Sequence, residues 1–170
     1  GEAFDKVAKM LSLGFPGGPV IEKKAVSGNS DAIRFKCGQF KNSYDFSFSG
    51  IKTAVLYYVQ KKSQRERERE LNDICASFQR SVIDDIVMKT IRLAAEKRVR
   101  IVAVGGGVSA NQSLREQLAK EGRKYNMRVF FPHRINSLDN GAMVARYGYE
   151  LFRKGERSDM TLSAMSTLPF

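Results

Sequence analysis

Phe4, Val7, Ala8 and Leu11 recur at the spacing of one helix face, and Gly14 follows as a stop. The pattern predicts a short amphipathic helix. Phe15-Pro16-Gly17-Gly18-Pro19 comes next. It reads as a tight loop, because proline fixes φ and removes donors while glycines let the chain turn or approach a ligand closely. Ile33, Phe35 and Cys37 alternate with polar residues, and Asp45-Phe46-Ser47-Phe48-Ser49 alternates again. Both stretches read as half-buried strands suited to pairing as a hairpin. From Ile51 the period lengthens, with Val55, Tyr58 and Val59 on one side, so a strand hands over to a helix near Ser49-Gly50.

Arg65 to Glu70 alternate in sign behind Ser63, which has Glu66 at capping-box spacing, and this run reads as a solvated helix end or linker. Leu71, Ile74, Cys75, Phe78, Val82, Ile86 and Leu93 then hold helical spacing, predicting a long helix from Leu71 to Lys97. Val99 to Val104 is almost wholly aliphatic and predicts a strand buried on both faces. A glycine turn, a helix marked by Leu114 and Leu118, a strand from Met127 to Phe131 and a last helix beginning at Ser137 complete the order. This alternation predicts an α/β fold, a mixed or parallel sheet flanked by helices.

The chain has 170 residues, 42% hydrophobic and 28% charged, which fits one globular domain over residues 1–170 and excludes disorder. Its apolar runs fall well short of the roughly 20 residues a membrane helix needs. The net charge of +11 makes polyanions expected partners, with local basic excesses at Lys52–Arg69, Arg92–Arg100 and Arg115–Arg134. Cys37 and Cys75 are the only cysteines, and with no signal-like start a reducing cytoplasm is the expected compartment. Cys75 lies on an apolar helix face and reads as a core residue. The opening Gly1-Glu2-Ala3-Phe4-Asp5 enters a helical pattern without an initiator Met, the expectation for a piece of a longer protein.

Three groups could carry chemistry. Val104 to Asn111, containing Gly105, Gly106 and Gly107, is a strand feeding a glycine turn and then a helix. Such a turn lets a phosphate approach the backbone, and the helix start offers free N–H groups; the competing reading is a turn capped by Ser109 with Gln112. Asp139 and Asn140 open the last helix, where a carboxylate at the C-terminal edge of a sheet either ligates a divalent metal or favours the helix dipole. His133 is the only histidine, so no paired-histidine zinc motif exists in this chain. Asp5, Gly18 and Glu22 place two carboxylates about a glycine turn, able to accept hydrogen bonds from ribose hydroxyls or simply to lie on the surface.

Gly1-Glu2-Ala3-Phe4-Asp5-Lys6-Val7-Ala8, Pro16-Gly17-Gly18-Pro19, Phe46-Ser47-Phe48-Ser49-Gly50-Ile51-Lys52-Thr53, Gly106-Gly107-Val108-Ser109-Ala110-Asn111 and Asp139-Asn140-Gly141-Ala142-Met143 occur in one order. In this the chain, from Gly1 to about Leu151, resembles the TsaD family, tRNA adenosine threonylcarbamoyltransferases once labelled O-sialoglycoprotein endopeptidases. The resemblance implies an actin-like, sugar-kinase-like ATPase (ASKHA) fold with a nucleotide between two lobes. This chain would be most of the second, C-terminal lobe, with the N-terminal lobe absent. The implied reaction moves a threonylcarbamoyl group from threonylcarbamoyl-AMP to the exocyclic nitrogen of an adenosine beside the tRNA anticodon.

By motif match, Asp5, Gly18 and Glu22 hold the nucleoside, Gly105, Gly106, Gly107 and Asn111 meet the nucleotide (ATP, ADP or threonylcarbamoyl-AMP), and Asp139 ligates a divalent metal. That metal would be iron or zinc, or else magnesium. Implied partners are tRNA, TsaB-like and TsaE-like proteins and the absent lobe. The family's two histidine ligands come from an HxxxH motif ahead of the equivalent of Gly1. No catalytic residue is therefore assigned in this chain, and the isolated chain is expected to be inactive. Ser137-Leu138 stands where the family usually has Cys-Thr. A non-catalytic nucleotide-binding scaffold and a small-metabolite kinase of the same fold are the alternatives. A protease ranks last, since no nucleophile, base and oxyanion set can be assembled.

Overall fold

The structure, a computed structural model, describes residues 1–38 and 43–163. Two compact units divide the chain, Gly1–Ser137 and Leu138–Phe170. In the first, helix α1 (Glu2–Met10) buries Ala3, Phe4, Val7 and Ala8, the face its spacing predicts. Gly14, at φ +87°, turns the chain away in a conformation that glycine adopts without strain.

The Pro-Gly stretch does more than turn the chain. Helix α2 (Gly17–Ala25) starts inside it, with Pro16 as an extended N-cap. Pro19 is tolerated because it falls in the first turn, where backbone N–H groups have no acceptor within the helix. Gly17 is required by proximity: a Cβ there would lie 2.5 Å from the carbonyl oxygen of Phe4 and 2.6 Å from the Cα of Asp5.

The two predicted strands about residues 33–49 reduce to one antiparallel bridge, Gly38 with Ser47, closed by the Gly38 N–H donating to the Ser47 oxygen at 3.1 Å. Residues 39–42, the connection of the expected hairpin, lie outside the described residues. The alternation of Ile33, Phe35 and Cys37 is met by a helix instead of a strand. The Ile33 N–H donates to Ser77 Oγ at 3.1 Å, the Phe35 carbonyl accepts from Ser81 Oγ at 3.1 Å, and the Cys37 thiol donates to the Ser81 carbonyl at 3.4 Å.

Helix α3 (Ser49–Gln60) starts where the change of period predicts. Helix α4 (Gln64–Glu96) runs for 33 residues and takes in the alternating Arg-Glu run as its first turns, behind a complete Ser63–Glu66 capping box. That run is therefore helix and not linker. The N-terminal half of α4 shares a core with α1, α2 and α3, in which Phe4 meets Phe78 edge-on at 5.1 Å. Its C-terminal half, through Ile83, Val87 and Ile91, packs with Leu114 and Leu118 of α5 (Gln112–Lys124).

Strands β1 (Ile101–Ala103) and β2 (Arg128–Phe130) pair in parallel, Ile101 opposite Arg128 and Ala103 opposite Phe130, so the described sheet is parallel and not mixed. It is also covered on one face only, a correction to the expected double burial. Val102 and Val129 turn into the core under α4 and α5, whereas Ile101 and Phe130 are each 52% exposed on the other face.

In the second unit, α6 (Gly141–Arg153) begins later than Ser137, because Asn140 is the N-cap and accepts from the Met143 N–H at 2.9 Å. None of its residues is buried. The stretch ahead of it is a short 3-10 turn, Arg134–Asn136, closed by Ser137. Residues 164–170 of the tail lie outside the described residues. Among the described residues no helix is long and apolar enough to cross a membrane.

Candidate functional site

The first unit gathers two of the three predicted groups. Asp5, one turn into α1, accepts the Gly17 N–H on Oδ1 at 2.7 Å and so holds the start of α2. Gly18 follows on the open side, where an added Cβ would meet nothing within 4 Å. Glu22 stands one turn beyond Gly18 on the same helix face. Its Oε1 accepts the Gln112 N–H at 2.6 Å, tying α2 to the start of α5 across 90 residues of sequence. The glycine turn of residues 105–107 leads into that same helix start. Gly105 and Gly106 have open space around them, and Gly106 sits at φ +81°.

Two N–H groups at the start of α5 are engaged within the protein: that of Gln112 is taken by Glu22 and that of Leu114 by Asn111 Oδ1 at 3.0 Å. Asn111, and not Ser109, is the cap. It is buried, and its Nδ2 donates to Gln79 Oε1 at 2.8 Å, which leaves its polar atoms engaged with the protein. Ser109 is buried too, and its hydroxyl has no partner among the described residues. What is exposed is the glycine backbone itself, ahead of the helix start that Glu22 reaches.

Arg115 is a positioning residue that sequence reasoning missed. Its Nε donates to the Ser109 carbonyl at 2.6 Å and its Nη2 to the Pro132 carbonyl at 2.6 Å, while the guanidinium lies 5.0 Å from the Phe131 ring centre. It fastens the glycine loop to the segment after β2. The signal was available, since an arginine one turn into a helix can reach back over the loop before it; its basic neighbours hid it within a general excess.

Arg134 donates to Gln112 Oε1 at 2.8 Å and comes within 3.8 Å of Glu22 Oε1. The first contact steadies the side chain of the first α5 residue. The second places a cation beside Glu22.

Asp139 belongs to the second unit, exposed, immediately before the Asn140 cap. Asn140 Nδ2 donates to the Leu138 carbonyl at 2.9 Å, which closes a local turn about Asp139. Among the described residues no three His, Cys, Asp or Glu side chains come together as a metal site. Asp139 alone does not make one. The cysteines supply no nucleophile: burial pushes the thiols of Cys37 and Cys75 up to about 11, away from the reactive thiolate.

Residues 1–146 match the family model described as TsaD, tRNA N6-adenosine threonylcarbamoyltransferase. A protein of that name from Clostridium botulinum strain Hall is 45% identical over 169 residues, 99% of this chain and 50% of the relative. The protein of the same name from Clostridium beijerinckii is 44% identical over the same coverage. One from Endomicrobium trichonymphae is 48% identical over 149 residues, 88% of this chain and 43% of the relative. The chain spans about half the length of the curated relatives it matches.

Proposed function

The chain belongs to the tRNA N6-adenosine threonylcarbamoyltransferase family, and on that premise we propose that it supplies the nucleotide-holding wall of a tRNA-modifying acyltransferase. The whole enzyme would move a threonylcarbamoyl group from threonylcarbamoyl-AMP to the exocyclic nitrogen of an adenosine beside the tRNA anticodon. The chain would form most of the C-terminal lobe of a two-lobed ASKHA fold, with an N-terminal lobe closing the cleft. The observation that carries this reading is the convergence of Gly18, Glu22 and the Gly105–Gly107 turn at the start of α5, which the Glu22–Gln112 bond fixes.

The chemistry follows from which oxygens are committed. Asp5 and Glu22 each hold one oxygen on a backbone N–H, which orients the carboxylate, and each has a second oxygen to accept from a ribose hydroxyl. Gly18, Gly105 and Gly106 let the sugar and phosphates reach the backbone without meeting a Cβ. Asn111 and Arg115 keep that backbone in place, so their roles are positioning.

Asp139 is proposed as this chain's one ligand to the family's divalent metal, which when bound polarises an acyl or phosphoryl oxygen. The remaining ligands, the TsaB-like and TsaE-like partners and a cytoplasmic setting belong to the same proposal. A non-catalytic nucleotide-binding scaffold would share this wall, and activity separates the two.

In the polypeptide extended to its relatives' full length, threonine-labelled threonylcarbamoyl-AMP and unmodified tRNA should yield labelled adenosine, while the 170-residue chain alone yields none. An extended, metal-loaded protein that binds nucleotide yet transfers no label, with its partners present, would overturn the transferase reading.

A further inference from the structure

The net charge of +11 has no direction until the fold is known. Two of the basic excesses, Arg92–Arg100 and Arg115–Arg134, then meet at one edge. Because β1 and β2 are parallel they start side by side: Arg100 precedes β1, Arg128 opens β2, and the Arg128 N–H donates to the Arg100 carbonyl at 2.8 Å. Arg98 stands next to them, just past α4, at φ +54°. Arg98, Arg100 and Arg128 are exposed, and none is in an ion pair among the described residues. Cations at helix C-termini answer the helix dipole, which accounts for Arg123 and Lys124 in the last turn of α5. It does not account for Arg100 and Arg128, which lie at the starts of the two strands.

An aromatic strip continues from that edge along α4. Arg92 lies 5.3 Å from the Tyr44 ring centre, and Lys89, one turn back, lies 5.2 Å from that of Phe46. Lys89 is buried and donates to the Asp45 carbonyl at 2.8 Å and to Asp85 at 3.0 Å, which pins this segment to the helix. Phe46, stacked on Phe48, keeps 47% of its surface exposed. Beyond Phe48 the chain enters α3, where Lys52 bonds Glu2 at 3.2 Å on the helix that carries Asp5. The strip therefore joins the α1 side of the nucleotide wall to the basic edge.

We propose that this strip, from Phe46 and Tyr44 through Arg92 to Arg98, Arg100 and Arg128, is the surface on which tRNA lies, its phosphates on the arginines and an unpaired base against Phe46. The proposal rests on the transferase reading, which makes tRNA the polyanion in question. Exposed aromatic surface beside Arg92, Arg98, Arg100 and Arg128, with Glu96 held by the Tyr44 hydroxyl as an acidic neighbour, suits RNA with splayed bases, since every base has a face to stack and every nucleotide a phosphate.

Fluorescence anisotropy of labelled unmodified tRNA across a KCl series tests it, on protein whose adenine-nucleotide binding is measured in the same preparation. Neutralising Arg100→Gln together with Arg128→Gln should lower the slope of log affinity against log salt by about 2, one for each phosphate left without its arginine, and weaken binding roughly five-fold or more. The same charge change at Lys9→Gln with Lys61→Gln, both exposed and far along the chain, should leave the slope in place. Phe46→Leu should weaken binding of tRNA but not of a fully paired RNA duplex.

Equal losses from the two charge pairs, or no tRNA binding at low salt, would overturn the surface while leaving nucleotide binding untouched. Loss of nucleotide binding with tRNA binding intact would instead bring down the transferase reading.

Discussion

Replacing Asn111 by alanine removes two bonds at once, and the structure lets the cost be worked out. The cap to the Leu114 N–H is lost, worth about 1 kcal/mol. Gln79 Oε1 loses its Asn111 donor in a buried setting, which costs about 1–3 kcal/mol more. The sum, about 2–4 kcal/mol, corresponds to a fall in melting temperature of roughly 5–15 °C for a chain of this length. Urea titration followed by circular dichroism measures it. Asn111→Asp should recover most of the loss, because a carboxylate still caps the helix and Gln79 can turn its amide to donate to it. An alanine variant within about 0.5 kcal/mol of the parent, or an aspartate variant as unstable as the alanine one, would refute the capping role. Asn111→Ala is therefore a poor probe of nucleotide binding, since it moves the backbone a ligand would touch.

Gly18→Ala is the cleaner probe: with open space at its Cβ and a place in the first turn of α2 it should keep or raise the melting temperature, yet weaken adenine-nucleotide binding in calorimetry. Gly17→Ala and Gly28→Ala should destabilise strongly in thermal melts, because their Cβ atoms would fall 2.5 Å from the Phe4 carbonyl and 2.0 Å from the Asn72 carbonyl, backbone that cannot swing aside. Cys75 has its thiol pushed from an ordinary 9.0 to about 11 by burial, so the folded state keeps a proton that the unfolded state releases. Its contribution to stability is complete below pH 9 and lost as pH rises toward 11, and urea midpoints at pH 8 and 10 should fall less in Cys75→Ala than in the parent. Asp139→Ala in the full-length polypeptide should reduce bound metal, read by elemental analysis, without a change in the melting temperature of the metal-free protein; undiminished metal would remove Asp139 from the ligand set.

Much of this is readable from spacing. The faces of α1 and α4, the Ser63–Glu66 capping box, the start of α3 and the order of β1, α5 and β2 follow from periodicity and capping chemistry, which are local. The misses are cases where a distant partner decides. Ile33 to Cys37 has the alternation of a strand, but the partner for its backbone is the Ser77 and Ser81 side of α4, which no local pattern announces. Residues 15–19 read as a loop because proline and glycine stop helices, although the same residues can begin one when an aspartate twelve positions earlier takes the first N–H. The candidate site is legible as residues and not as geometry: nothing local indicates that Glu22 reaches Gln112, that Asn111 is spent on Gln79 and Leu114, or that Arg115 braces the glycine loop.

Whether Glu22 holds a nucleotide is tested by calorimetric titration of AMP, ADP and ATP into the polypeptide extended to its relatives' full length, with Glu22→Gln beside the parent. Glutamine keeps a side-chain oxygen for the Gln112 N–H but presents a donor where a ribose hydroxyl needs an acceptor. The parent should bind, and Glu22→Gln should weaken binding about ten-fold or more at an unchanged melting temperature, the loss of a bond to a charged acceptor. Equal affinity in parent and variant, or no binding by the parent, would contradict it.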